Sequence, residues 1–180
     1  SYKNKYFRLE SDIKLSSSWE PLGTLKERAD KPGNGTNILP FSGNIDGNGH
    51  TLTFAKGSKP LFGYVRDAKV SNLNIFGTYI DGYGLVENYV VDYGKDGKNW
   101  TDDDPKAVIT AEKVTIKSGT RIHQSGFLGG YASGIDHADF TNCTIEQGVT
   151  IGCNIDGTSA GLSNIGSFGG ALNGTIKNCV

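Results

Sequence analysis

Three segments of the chain share one order of residues: LFGYVRDAKVSNLNI at 61–75, FLGGYASGIDHADFTNCTI at 127–145 and SFGGALNGTIKNCV at 167–180. Each has an aromatic residue close to a glycine, a polar turn, and an asparagine followed by leucine or cysteine. Phe62 and Asn72 are ten residues apart, as are Phe168 and Asn178, and the middle copy is longer in its turn. An internal repeat of this kind indicates stacked structural units.

A fourth copy of the repeat is interrupted. It consists of GLVENYV at 84–90 and ITAEKVTI at 109–116, which are separated by a loop from Asp92 to Lys106. Lys113 stands where the other copies have asparagine. We expect this copy to occupy the same place in the fold as the others, with the loop inserted at 92–106.

The rest of the chain also has the alternation and punctuation of short strands. Apolar and polar residues alternate between glycine, asparagine and aspartate at 7–15, 43–54, 68–77, 112–119, 138–152 and 174–180. Only the stretch from Trp19 to Lys31 could hold a helical turn, and Pro21, Gly23 and Pro32 crowd it. The sequence therefore predicts an all-β protein.

Short strands in a repeated order, without helices between them, predict a right-handed parallel β-helix of about five to seven coils. Like positions then stack on like at a strand spacing of about 4.8 Å. The 26 glycines among 180 residues, about 14%, fit this fold because tight corners need them. We expect such corners at Gly47, Gly49, Gly63, Gly129 and Gly169.

Stacking predicts three columns of side chains. Asn72, Asn142 and Asn178 would form an interior ladder whose amides bond to the next coil or to turn carbonyls. Leu73, Cys143 and Cys179 would fill a neighbouring interior column, and a third column would hold Phe62, Phe127 or Leu128, and Phe168.

The three cysteines do not form a recognisable metal motif. No Cys-x-x-Cys spacing occurs, which argues against a zinc site. Cys143 and Cys179 are interpreted as small buried apolar residues, with a disulfide between stacked coils as the alternative. Cys153 falls outside the repeated positions.

The charge of the chain excludes one class of partner. Its 18 basic and 19 acidic residues give a formal net charge of −1, which lacks the basic surface that nucleic-acid binding needs. No apolar run is long enough to span a membrane as a helix, so we expect no membrane insertion.

The first 77 residues resemble a known family. PFSGNIDGNGHTLTF at 40–54 and LFGYVRDAKVSNLNIFG at 61–77 are similar to the repeat of GLUG-type β-helix modules, and YFRLESDIKLSSSWEPLGT at 6–24 is similar to the segment that precedes them. Such modules occur in bacterial surface proteins and beside the catalytic region of IgA-specific metallopeptidases. The resemblance covers residues 6–77 well and 84–180 more loosely; the loop at 92–106 and Lys113 depart from it.

The resemblance implies a β-solenoid similar to that of pectate lyases, in a non-catalytic, extracellular part of a bacterial surface or secreted protein. We expect residues 1–180 to be a single module of a longer protein, because the chain starts without methionine and stops within a repeat. Four Asn-x-Ser/Thr sequons, at Asn34, Asn99, Asn142 and Asn173, would suggest glycosylation, but an interior Asn142 argues against it.

Two polar clusters are candidates for chemistry. Asp46-Gly47-Asn48-Gly49-His50 has the spacing of a turn in which Asp and Asn bond to the local backbone, so we expect it to be structural. Asp136, His137 and Asp139 lie in the expanded turn of one repeat, with no nucleophile near them in the sequence, and are expected to be a solvated turn.

A polysaccharide lyase or glycoside hydrolase is the alternative function. Such an enzyme needs carboxylates projecting from one face on successive coils. The repeat alignment does not place Asp12, Asp46, Asp81 and Asp136 in one column, and it pairs no arginine with a carboxylate.

The loop DYGKDGKNWTDDDP at 92–105 resembles a calcium-binding loop. With Asp92 at position 1, Asp96 falls at 5 and Asp103 at 12, but Gly94 at position 3 cannot ligate. An acidic loop without an ion is the interpretation that competes with a Ca²⁺ site.

Five aromatic residues fall within 22 positions: Tyr79, Tyr83, Tyr89, Tyr93 and Trp100. An exposed aromatic strip could stack on sugar rings; alternatively these rings pack the inserted loop onto the coils. Overall we expect a rigid spacer, adhesion or carbohydrate-binding module at the bacterial surface, whose partners are glycans or a host or cell-surface protein.

Overall fold

The computed structural model describes residues 4–27, 36–89, 107–128, 137–163, 165–169 and 173–180. These residues form β-strands joined by turns, and no helix occurs among them. The strands are β1 Tyr6–Arg8, β2 Ile13–Leu15, β3 Thr24–Glu27, β4 Thr36–Leu39, β5 Asn44–Asp46, β6 Thr51–Phe54, β7 Phe62–Val65, β8 Ala68–Gly77, β9 Val86–Tyr89, β10 Ala107–Ile116, β11 Arg121–Ile122, β12 His137–Thr141, β13 Thr144–Ile145, β14 Thr150–Ile151 and β15 Asn173–Lys177. The all-β prediction is confirmed.

Nine of these strands form one main sheet. Six of them follow the order β1-β5-β8-β10-β12-β15, while β2 and β6 extend it beside β8 and β13 pairs with β10. Every pairing in this sheet is parallel. Because parallel neighbours need a long connection, each pair joins segments distant in sequence.

The repeats pair in register. Ser71 of β8 lies opposite Glu112 of β10, Glu112 lies opposite Thr141 of β12, and Thr141 lies opposite Lys177 of β15. The next residue of each strand is therefore level with its counterparts, which places the interrupted fourth copy beside the other three. The alignment read from the sequence is confirmed.

The residues at this level adopt a left-handed backbone conformation. Asn72, Lys113, Asn142 and Asn178 have φ of 52°, 52°, 54° and 52°. A residue in this conformation bends the strand, so that positions three apart, such as Val70 and Leu73, are both buried. Asparagine tolerates this region better than other residues with a Cβ, which explains why the repeat has asparagine here.

The prediction of an interior asparagine ladder is wrong. Asn142 and Asn178 are exposed and Asn72 is half-buried, because the bend turns these side chains away from the core. Asn72 Nδ2 donates to Asp46 Oδ1 at 3.0 Å. The exposure of Asn142 also removes the argument that burial opposes glycosylation at its sequon.

The neighbouring column is the interior one. Leu73, Val114 and Cys143 are fully buried at equivalent positions of β8, β10 and the β12–β13 connection, and Cys179 packs against them. Cys143, Cys153 and Cys179 are free thiols. Cys153 is also buried, with its thiol 3.6 Å from the Ile122 carbonyl oxygen in a different part of the core.

The predicted aromatic column is shifted by one residue at its end. Phe62 is bridged to Val86, Val86 to Leu128, and Leu128 to Gly169, so glycine occupies the level expected for Phe168. Phe168 stacks instead on the buried Phe127, with ring centroids 5.2 Å apart and planes at 15°. Leu128, rather than Phe127, is the register counterpart of Phe62.

Several glycines allow neighbouring backbones to come close. A Cβ on Gly84 would lie 1.8 Å from the Gly126 carbonyl oxygen, and a Cβ on Gly126 would lie 2.0 Å from that of Ser167. Gly63 meets the Gly23 carbonyl oxygen in the same way, and Gly47 meets Leu73 Cα at 2.6 Å. Gly49 instead has a φ of +78°. Gly129 lies outside the described residues.

The one stretch that could have held a helical turn, from Trp19 to Lys31, contributes strand β3 to a hairpin. β3 and β4 pair antiparallel, with Thr24 opposite Leu39 and Glu27 opposite Thr36. This hairpin departs from the parallel repeat. Pro32-Gly33-Asn34-Gly35, which separates the two strands in sequence, was the available signal for it.

Two smaller parallel pairs complete the described strands. β7 pairs with β9, and β11 pairs with β14. No helix in the described part of the chain is long and apolar enough to cross a membrane.

Candidate functional site

The predicted calcium ligands Asp92, Asp96 and Asp103 lie outside the described residues. Within the described part of the chain, no group of three histidine, cysteine, aspartate or glutamate side chains could hold a metal ion. The calcium loop therefore stays a prediction from the sequence.

The predicted aromatic strip is only partly described. Tyr93 and Trp100 lie outside the described residues, and Tyr89 ends β9, where the structure describes its backbone alone. Tyr83 is half-buried, whereas Tyr79 is 6% exposed. Tyr83 therefore presents part of its ring at the surface, and Tyr79 presents little.

Tyr79 belongs to a mixed polar surface formed by the β8–β9 connection and β11. Its ring lies edge-on to His123, with centroids 6.2 Å apart. Burial and the charge of Asp81 raise the pKa of the Tyr79 hydroxyl, so it remains protonated at neutral pH. His123 Nδ1 lies 3.1 Å from the Cys153 carbonyl oxygen, which orients the imidazole.

Charged residues near Tyr79 complete this surface, which we call the Tyr79–His123 flank and define as Lys59, Tyr79, Asp81, Arg121 and His123, together with Tyr83, which follows Asp81 in the β8–β9 connection. Lys59 Nζ donates to Asp81 Oδ2 at 2.8 Å. Arg121 Nη2 donates to the carbonyl oxygens of Asn154 and Ile155 at 3.0 and 3.1 Å. The flank therefore combines aromatic rings with hydrogen-bonding groups.

Sequence analysis missed the charged part of this flank. The signal was the order Arg121-Ile122-His123, in which a fully buried isoleucine separates two half-buried polar residues. A two-residue strand carries too short an alternation to stand out by itself. The parallel bridge between Ile80 and Ile122 brings these residues beside Tyr79.

The turn at Asp46 is held by hydrogen bonds to the Asp46 carboxylate, one from within the turn and two from other segments. Asp46 Oδ1 accepts from the Asn48 backbone N–H at 2.9 Å, and Asp46 Oδ2 accepts from the Tyr6 hydroxyl at 2.8 Å. Together with the bond from Asn72, these donors lower the pKa of the Asp46 carboxyl. The local backbone bonding expected of this turn is confirmed. Gly47 is required because its backbone approaches that of Leu73 closely, and Asn48, with φ 51°, supplies one of the left-handed positions.

His50 at the end of this turn has one acidic neighbour. Its Nδ1 lies 3.2 Å from Asp12 Oδ1, an atom that also accepts from the Thr51 backbone N–H at 2.9 Å. These bonds lower the pKa of the Asp12 carboxyl, the backbone bond most of all. Asp12 therefore serves to join the β2 region to β6.

Asp12 and Asp46, two of the carboxylates considered for catalysis, lie at different levels of the sheet. The register partner of Asp46 is Arg8, so Asp12 occupies a different level, and Asp136 lies outside the described residues. The expectation of a solvated turn at the second cluster is wrong for His137 and Asp139, which lie in strand β12 and pair with β10 and β15. Asp139 is half-buried, and its Oδ1 accepts from the Thr175 backbone N–H at 3.2 Å. The Arg8–Asp46 pairing was not seen in the repeat alignment; Arg8 Nη2 donates to Asn48 Oδ1 rather than to the carboxylate.

Hydrogen bonds favour the ionised form of four described carboxyl groups. The pKa values of Asp12, Asp46, Glu146 and Asp156 are all lowered, in each case mainly by hydrogen bonds to the carboxylate. A general acid for glycoside cleavage needs the opposite, a raised pKa. Asp12, Asp46 and Glu146 accept hydrogen bonds from neighbouring segments, and Asp156 accepts from Thr158 in its own turn.

Comparison with known proteins gives no relative: no protein-family model, curated protein or solved structure matches this chain.

Proposed function

We propose that this chain is a right-handed parallel β-helix that serves as a rigid, non-catalytic module of a bacterial surface or secreted protein and carries a carbohydrate-binding flank. The observation that supports it best is the continuous order of parallel strands from β1 to β15 in the main sheet. Such stacking makes each unit depend on its neighbours and resists bending between them. A module of this kind suits a spacer that holds an adhesive surface away from the cell.

The polar side chains support a scaffold role because many of them connect neighbouring strands or loops. Asn72 bonds to Asp46, Lys59 to Asp81, and Lys117 to Glu146, each pair joining segments more than twenty residues apart. Exposed ion pairs contribute little stability individually. Together with the apolar columns they favour one arrangement of the stacked segments.

The extracellular bacterial setting rests on the resemblance of residues 6–77 to GLUG-type modules. In that family the module is a non-catalytic part of a larger protein. The lowered pKa values of Asp12, Asp46, Glu146 and Asp156 also favour a scaffold over a polysaccharide lyase or glycoside hydrolase, because they leave these four groups poor proton donors at neutral pH.

The carbohydrate-binding role is proposed for the Tyr79–His123 flank. Tyr83 would stack on a sugar ring, and the half-buried Arg121 and His123 lie on the strand beside the Tyr79 segment, where hydroxyl groups need hydrogen-bond partners. Tyr89, Tyr93 and Trp100 would extend the strip along the inserted loop. A host or cell-surface protein bearing glycans would be engaged by the same rings.

The test combines retention and turnover on one set of soluble polysaccharides, both neutral and uronic-acid containing. We expect affinity electrophoresis to show retention by at least one of them. We expect no release of reducing ends and no ultraviolet absorbance from unsaturated sugars. The Tyr83→Ala variant should lose most of the retention because the stacking face is removed.

Tyr64→Ala is the matched control, since Tyr64 is also a half-buried tyrosine but lies on β7. It should retain polysaccharide as the unchanged protein does. Product formation by the purified protein would overturn the non-catalytic proposal. Absence of retention on every polysaccharide, or equal loss in both variants, would overturn the carbohydrate-binding flank.

A further inference from the structure

The end of the main sheet places two cysteines side by side. β12 and β15 pair in parallel up to Thr141 and Lys177. Beyond that point the Asn142 N–H donates to the Lys177 carbonyl oxygen at 2.9 Å, and the Val180 N–H donates to that of Cys143 at 3.0 Å. These bonds continue the same register, so Cys143 and Cys179 lie level on adjacent segments.

This spacing suits a covalent link. Adjacent strands lie about 4.8 Å apart, and disulfides join residues whose Cα atoms are about 4.4–6.8 Å apart. The Cys143 N–H already donates to Cys179 Sγ at 3.3 Å, which places that sulfur against the Cys143 backbone. The Cys143 thiol instead faces β10, the strand on the other side, with its sulfur 3.5 Å from the Ala111 carbonyl oxygen.

We propose that Cys143 and Cys179 form a disulfide between neighbouring repeats when the protein meets a low-molecular-weight disulfide such as oxidised glutathione. The link would close a loop over residues 144–178 and tie β15, the last strand of the described sheet, to its neighbour. The register of the two cysteines supports the disulfide without reference to the proposed function. Only the expectation that such an oxidant is met outside the cell rests on the proposed function.

The reaction proceeds by two thiol–disulfide exchanges. Cys179, which is half-buried, is reached first: its thiolate attacks one glutathione sulfur, the S–S bond breaks, and a glutathione thiolate leaves with the electron pair. Cys143 then rotates about its Cα–Cβ bond, loses its proton to water and attacks Cys179 Sγ, which expels the second glutathione. Two protein thiols are oxidised, and one glutathione disulfide is reduced to two glutathione molecules.

The second exchange is the slow one. Cys143 is fully buried, and this burial raises the pKa of its thiol to about 11. Only a small fraction of Cys143 is therefore thiolate at neutral pH. As the pH is raised toward that pKa, closure should become about tenfold faster with each pH unit. The glutathione adduct on Cys179 should accumulate at neutral pH and disappear into the closed form at higher pH.

The experiment starts with the reduced, folded protein in oxidised glutathione, with intact mass and peptide mapping as readouts. We expect loss of two hydrogens and a peptide that links Cys143 to Cys179, while Cys153 stays reduced. The melting temperature should rise by about 5 °C or more in the oxidised form, since a closed loop restricts the unfolded chain. Cys179→Ala should abolish the link and the rise.

Cys153→Ala is the matched control, a buried cysteine whose loss should leave the Cys143–Cys179 link intact. A second control is the wild-type chain oxidised in urea, where pairing should no longer select these two residues. If the folded wild-type protein keeps three free thiols up to about pH 9, or links Cys153 as readily, the proposal is overturned. The polysaccharide assays are run with reductant, so their outcome is independent of this result.

Discussion

Lys113 shows how one backbone position controls the residue type of a repeat. It shares φ near 52° with Asn72, Asn142 and Asn178, and all four lie at the same level of the main sheet. A left-handed conformation costs a residue with a Cβ roughly 1–2 kcal/mol, and asparagine less. Lys113 therefore holds this conformation only because the strands on both sides of it are paired.

We predict that Lys113→Asn stabilises the protein by about 0.5–1 kcal/mol, because asparagine adopts the left-handed conformation at lower cost. The measurement is the free energy of unfolding from urea titration, read as a higher midpoint at unchanged slope. Lys69→Asn is the control: Lys69 is exposed on β8 without a left-handed φ. Equal effects of the two substitutions would contradict the conformational argument.

Asp46 and Asp12 make stability depend on pH. Hydrogen bonds lower the pKa of both carboxyl groups in the folded protein. A depressed folded pKa stabilises the fold above the unfolded pKa, about 3.9 for aspartate, and this contribution is lost as the pH falls through the folded value. Stability should therefore decrease as the pH is lowered below about 4.

The Asp46→Asn variant should be less stable than the wild type at neutral pH and should lose less stability on acidification. Urea midpoints between about pH 6 and pH 2.5 measure both effects. Glu10→Gln is the control, since the Glu10 carboxylate is exposed and approaches only to 3.9 Å of Arg8 Nε. If the urea midpoints of Asp46→Asn and of the wild type fall in parallel as the pH is lowered, the pKa of Asp46 does not differ between the folded and unfolded states, and the prediction is contradicted.

At the scale of elements, glycines set how closely neighbouring segments approach. Gly126 lies between two of them: its carbonyl oxygen faces Gly84, and its own Cα faces the Ser167 carbonyl oxygen. The Gly126 N–H donates to the Gly166 carbonyl oxygen at 3.1 Å, so the contact is also a hydrogen-bonded one. A side chain here would separate the segments and break this bond.

We predict that Gly126→Ala destabilises the protein by about 3 kcal/mol or more, because its Cβ would overlap a backbone atom that cannot move by itself. Gly161→Ala is the control: its φ is +61°, but nothing lies within 4 Å of a Cβ there. It should cost only about 1 kcal/mol of conformational strain. Thermal unfolding of the two variants measures which substitution costs more stability. A smaller loss of stability in Gly126→Ala than in Gly161→Ala would contradict the prediction.

The elements that the sequence predicted well are those with repeated apolar spacing. β8, β12, β15 and the part of β10 from Ile109 onward fall within the predicted strand segments or the repeat, because burial at alternate positions leaves a periodic pattern. β11 carries too few residues for such a pattern. The β3–β4 hairpin was missed because Thr24–Glu27 has no repeated counterpart with which it could be aligned.

For the whole molecule, the parallel order implies a gradient of local stability. β8, β10 and β12 have neighbours on both sides in the main sheet, whereas β1 and β15 are its ends among the described strands. Backbone groups at an edge are open to water on one side. Opening should therefore begin at the ends and reach the middle strands last.

Hydrogen exchange tests this gradient. Amides of β8 and β10 should exchange only through global unfolding, with protection that follows the free energy of unfolding in added urea. Amides of β15 should exchange at least about tenfold faster. Comparable protection of β10 and β15 would contradict the gradient, and rapid exchange in β10 would contradict the rigid spacer role.

The sequence alone determined the all-β class, the parallel repeat and the level shared by Asn72, Lys113, Asn142 and Asn178, because equivalent positions in stacked units face the same packing. It could not determine which side of the bend those residues occupy. That depends on φ, and a left-handed residue reverses the alternation that a regular strand would have.

Only the tertiary structure brought Arg121 and His123 to Tyr79, whereas the repeat alignment had already placed Cys179 level with Cys143. The contacts of Tyr79 join residues about 40–45 positions apart, and their geometry depends on the pairing of separate strands rather than on any local pattern. Repetition along the chain is visible in the sequence because every unit buries the same face. The surfaces that could bind a ligand differ from unit to unit, so only the folded chain assembles them.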